Sequence, residues 1–69
     1  MALSKRQKVE ELRDMHLKLE EQYADLAQDC QNDGEEGMAI TLSMAADQHK
    51  EKASRLQKIL DVEASIITS

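Results

Sequence analysis

Asn32-Asp33-Gly34-Glu35-Glu36-Gly37 holds both glycines of the 69-residue chain and stands near its middle, between two long runs of helical periodicity. Gly34 can take the left-handed conformation that ends a helix, and Asn32 or Asp33 can bond locally to the backbone. Glu35 and Glu36 then suit the electropositive start of a following helix. The stretch reads as the turn of a helical hairpin, one domain over residues 1–69, with helix 1 over about 5–32, the turn at 33–36 and helix 2 over about 37–66. A calcium loop beginning at Asp29 fails at its twelfth position, where Ile40 stands in place of the bidentate glutamate.

Upstream of the turn, Ser4-Lys5-Arg6-Gln7 fits a capping box, in which serine caps the helix and Gln7 reaches back. From there Val9, Leu12, His16, Leu19, Tyr23, Leu26 and Cys30 recur at strict three-four spacing, the a/d pattern of a helix that packs along one seam. Leucine fills every d position, and Met15 and Leu17 widen the apolar face.

Downstream, the matching seam reads Met38, Leu42, Ala45, His49, Ala53, Leu56, Ile59 and Leu60. Folding about Gly34 and Glu35 sets residue numbers that sum to about 68 side by side. Leu26 then faces Leu42, Tyr23 faces Ala45 and Ala46, His16 faces Ala53, and Leu12 faces Leu56. Large side chains meet small ones where Tyr23 and His16 need room, which suits close antiparallel packing. Helix 2 also carries more apolar surface than one seam uses: Met38, Ile40 and Met44 near the turn, and Ile59, Val62 and Ile66 near its end. A helix apolar on more than one face is covered by something else. These six residues are the expected dimer or partner interface, and the expected architecture is an all-α hairpin dimerising into a four-helix bundle.

Composition narrows the class. Proline and tryptophan are absent, Tyr23 is the one aromatic residue, and 33% of the chain is charged, which favours uninterrupted helices. A chain this short is marginally stable alone unless stapled or oligomeric. The single Cys30 cannot form an internal disulfide, and no zinc-ligand spacing is present. The lone thiol and the lack of a signal-like run suggest a reduced, cytoplasmic setting, and no stretch approaches the roughly 20 apolar residues that span a bilayer.

Charge is distributed unevenly. Eight acids and no lysine or arginine lie between Leu19 and His49, while the flanking segments hold all nine basic residues and six acids. The rod has an acidic turn end and a mildly basic open end. Two copies side by side repel at their turns if parallel and attract if antiparallel, which favours an antiparallel homodimer. Glu10, Glu11 and Asp14 stand opposite Lys58, Arg55 and Lys52, where local pairs are available.

Candidate chemistry is sparse. His16 and His49 occupy seam positions, where they suit polar layers of a bundle or a pH-sensitive contact better than a metal site, since no carboxylate is aimed inward beside them. Cys30 lies far from either histidine and is surrounded by acids, the wrong setting for a nucleophile. No phosphate loop, nucleophile elbow or metal motif occurs, so neither an enzyme nor a cofactor is expected.

The expected function is therefore a small non-enzymatic module that self-associates and binds another protein as an adaptor, inhibitor or chaperone-like regulator. The alternative is a nucleic-acid-related regulator. The layout resembles small plasmid-type RNA-binding hairpins in architecture alone, with Lys50, Lys52, Arg55 and Lys58, joined by Lys5, Arg6 and Lys8, as phosphate contacts. The acidic half could instead imitate nucleic acid. A net charge of −5 disfavours binding to nucleic acid or to an anionic membrane.

Overall fold

A computed structural model describes the backbone of residues 4–68 and the side chains of residues 4–64. Ser4 opens the first helix: its hydroxyl oxygen accepts from the Gln7 N–H at 3.1 Å, and the Gln7 side chain accepts from the Ser4 N–H at 3.0 Å. Both halves of the capping box are thus closed. Helix α1 runs Lys5–Asn32 and α2 runs Glu36–Thr68, with no cis peptide between them.

The turn is a Schellman motif. Gly34 takes φ +82°, donating its N–H to the Gln31 carbonyl at 3.1 Å, and the Glu35 N–H reaches the Cys30 carbonyl at 2.8 Å. These bonds satisfy carbonyls that the end of α1 would otherwise leave without partners. The chain reverses within three residues, so the helices pack antiparallel as a hairpin along their length.

The inner seam differs from the leucine seam expected of α1. On α1 the seam that faces α2 runs through Val9, Arg13, His16, Glu20, Tyr23, Ala27 and Cys30, all buried or half-buried and again at three-four spacing, with Glu10 and Leu19 half-buried beside it. Leu12 and Leu26 stand 46% and 51% exposed, with Leu19 half-buried between them. On α2 the seam runs through Ala39, Leu42, Ala46, His49, Ala53, Leu56 and Leu60, so Ala39 and Ala46 replace Met38 and Ala45 at its centre. The buried residues among those described are Ala27, Ala39, Ala46, Ala53 and Leu60.

Side-chain size accounts for the rotation. Alanine at 39, 46 and 53 offers a strip one methyl deep, repeated every seventh residue, against which a second backbone can lie close. Leucines at 12 and 26 would hold the helices apart, and they pass to the flank instead. The hairpin is one helix thick, with extents of 52 × 27 × 12 Å, and a single layer has no second layer to receive the displaced leucines.

Candidate interaction surfaces

At 3.6 residues per turn, positions offset to the same side of the seam share a flank of the hairpin. Leu12, Met15, Leu19 and Leu26 of α1 fall on one flank together with Met38, Ala45 and Ile59 of α2. Met15 is 54% exposed, Met38 56% and Ile59 53%, so this flank is an apolar strip running the length of the rod. The opposite flank is mixed. There Arg13, Leu17, Glu20, Lys50, Ala53 and Gln57 line a groove of about 470 Å³, across which Arg13 Nη1 donates to Gln57 Oε1 at 2.8 Å.

Ile40, Met44 and Val62 point away from α1, on the outer side of α2, and are 62%, 59% and 59% exposed. Ile40 and Met44 border a second groove, of about 430 Å³, near the turn. The side chain of Ile66 lies outside the described residues. Of the residues expected in the core, Val9, His16, Leu19, Tyr23, Leu42, Ala45, His49 and Leu56 are half-buried, Ala53 and Leu60 are buried, and Leu12 and Leu26 are exposed.

The whole chain exposes 5466 Å², whereas a compact monomer of its 7.8 kDa would expose about 4,400 Å². The difference, roughly 1,000 Å², is comparable to the about 800 Å² that one partner contributes to a standard interface. An exposed leucine on its own would mean little. Four large apolar side chains in a row on one helix, matched across the rod by two more, form a patch.

The histidines meet more closely than the sequence alone suggests. His16 Nδ1 lies 2.9 Å from His49 Nδ1, the rings stack with centroids 5.1 Å apart, and Tyr23 also stacks with His49, at 5.4 Å. One Nδ1 must donate and the other accept, so two neutral rings in this contact hold different tautomers. Glu20, one turn along from His16, has an Oε2 atom shielded from solvent with no hydrogen-bond partner. Among the described residues, no group of three or more His, Cys, Asp or Glu side chains is arranged to hold a metal ion.

Basic residues are dispersed. Lys50 and Lys58 line the mixed groove, Lys52 falls on the leucine flank, and Arg55 points outward to pair with Glu51 at 2.7 Å. A single phosphate-facing patch is not assembled within one hairpin. Ion pairs among the described residues are Arg6–Glu10, Arg13–Asp14 and Arg55–Glu51, each within one helix, so the cross-hairpin pairing expected of Glu10, Glu11 and Asp14 is not among them. Exposed pairs of this kind contribute about 0–1 kcal/mol each. Among the described residues, no helix is long and apolar enough to cross a membrane.

Comparison with protein-family models, with curated proteins and with solved structures returned no match. The fold class, an all-α helical hairpin, rests on the chain's own geometry.

Proposed function

We propose that this chain is a non-enzymatic interaction module of the cytoplasm that pairs with a second copy and presents α2 to another protein. In this reading the second copy covers the leucine flank, with Leu12, Leu19 and Leu26 of each copy interleaving against the other to complete a four-helix bundle. The two turns lie at opposite ends, so that each acidic turn half rests beside a basic open half. Ile40, Met44 and Val62 remain outward on the bundle and form the surface for a protein partner. The observation that carries the reading is the exposed strip of Leu12, Met15, Leu26, Met38 and Ile59 along one flank.

Light scattering coupled to gel filtration tests the self-association. The wild-type chain at about 50 μM, a concentration at which interfaces of standard size are normally populated, should elute with twice the monomer mass. Leu12→Asp with Leu26→Asp should shift it to monomer or unfold it. A wild-type monomer at this concentration, helical by circular dichroism, would remove the four-helix reading.

A further inference from the structure

We infer that the groove beside the turn, on the outer flank of α2, receives a basic amphipathic helix from another protein. The inference rests on the reading of the chain as an interaction module and names the chemistry of its partner. Ala39 and Ser43 form a low ridge on the floor, and Ile40 and Met44 form a high one beside it. Each pair is spaced four residues apart, which gives a ridge and a step parallel to the i, i+4 rows of a helix. A third groove, lined by Ala24, Ala27 and Gln28, shares Gln31, Ser43 and Asp47 with this one. Together they extend the surface toward the middle of the rod, and the floor over α1 is again alanine. Small residues admit a helix closely, and the flexible thioether of Met44 adapts to its side chains.

Charge decides the partner's character. Glu36 and Asp47 stand on the rim, and Glu21 falls on the same side of α1 as Ala24 and Gln28, three and seven residues before them. From residue 20 to residue 48 the chain has eight acids and no lysine or arginine. Neither Glu36, Asp47 nor Glu21 joins an ion pair among the described residues. A floor of small residues beside the apolar ridge of Ile40 and Met44, with acids and no base on its rim, fits a helix with one apolar stripe flanked by lysine or arginine, docked in the helix-in-groove mode. The same rim repels phosphate and anionic lipid.

The test uses the full chain and three synthetic peptides of 18 residues, about five helical turns. The first places leucines on one helical face and lysines elsewhere. The second has the same composition, ordered so that the leucines do not align. The third replaces every lysine by glutamate. Titration by fluorescence anisotropy should show the first peptide binding, the second at least about tenfold weaker and the third not at all, because both the stripe and the charge are needed. Ile40→Ser with Met44→Ser leaves the net charge unchanged, and should weaken the first peptide about tenfold while Leu17→Ser, an exposed apolar residue in the mixed groove, does not. Circular dichroism checks that each variant keeps its helices.

Equal binding of the aligned and scrambled peptides overturns the inference, as does wild-type affinity in the Ile40/Met44 double variant. So does light scattering that shows the peptide displacing one copy from a dimer, since the occupied surface is then the leucine flank. A dimer that binds no peptide overturns this site and leaves self-association standing. A monomer that binds the peptide through Ile40 and Met44 does the reverse.

Discussion

His16 and His49 share one hydrogen bond between two Nδ1 atoms, so only one ring can carry its proton there while both are neutral. Nitrogen-correlated NMR at alkaline pH should show one ring protonated on Nδ1 and the other on Nε2. Two rings both protonated on Nε2 would mean the contact does not form. His49→Ala removes that bond and the Tyr23 stack together. The expected cost is about 1–2 kcal/mol, read by urea unfolding at fixed protein concentration. The sequence placed both histidines on the seam, but their contact was not legible. Helical periodicity fixes which side a residue faces, not how two rings of opposite helices turn toward each other.

Cys30 behaves differently because it is half-buried with acids close by. Burial pushes its thiol up from the ordinary range, and Glu35, Asp33 and Asp29 add to the shift. A thiol raised by folding keeps its proton where an unfolded one, near about 8.5, has lost it. Stability is therefore unaffected by this group below about pH 8.5 and falls as pH rises from there through the folded value. Iodoacetamide should modify Cys30 more slowly than a free thiol at about pH 8, with the rate rising only at higher pH, since the thiolate is the nucleophile. A pH–rate curve that overlays a free thiol's would contradict the assignment. This direction was readable beforehand, because Asp29, Asp33 and Glu35 surround Cys30 in the sequence itself.

At the scale of the element, α1 carries two seams at three-four spacing that overlap. Both contain Val9, His16, Tyr23 and Cys30. They differ in taking Leu12, Leu19 and Leu26, or Arg13, Glu20 and Ala27, between them. Reading by hydrophobicity selects the leucines, which is how the exposed flank escaped notice. The signal that could have found it is on α2, where Ala39, Ala46, Ala53 and Leu60 repeat every seven residues. Such a strip favours close backbone approach, and close approach admits Ala27 on the facing helix where leucine would not fit. Ala53 is 2% exposed, so Ala53→Leu should force the helices apart and cost about 1–3 kcal/mol. Ser54→Leu, at an exposed position beside the mixed groove, should change stability by less than about 0.5 kcal/mol. Urea midpoints of the two variants decide this, and equal losses would place the seam elsewhere. The turn needed no such arbitration, because Gly34 and its neighbours dictate a Schellman ending whatever the helices do beyond it.

For the whole molecule, the question is how two single-layer rods would lie. Residues 20–48 carry eight acids and no lysine or arginine, and the rest of the chain carries nine bases against six acids. Each rod therefore has opposite net charge at its two ends. An apolar flank alone would accept a second copy in either direction, since leucines at heptad spacing interleave parallel or antiparallel. Charge breaks that tie: the parallel arrangement brings two acidic turns together, and the antiparallel one sets each beside a basic open half. Spin labels report the outcome. Cys30→Ser removes the native thiol, and Glu35→Cys places one label at each turn of a dimer. Helix α1 is 28 residues long, or about 42 Å, so turns at opposite ends should put the labels roughly 40 Å apart. Turns at the same end would bring them within about 25 Å, two helix diameters with their side chains. Added salt should weaken the preference for direction while leaving the apolar contact in place, because screening acts on the exposed charges and not on the leucine flank. A short distance at low salt would show that packing of the flank, rather than the charge of the ends, sets the orientation.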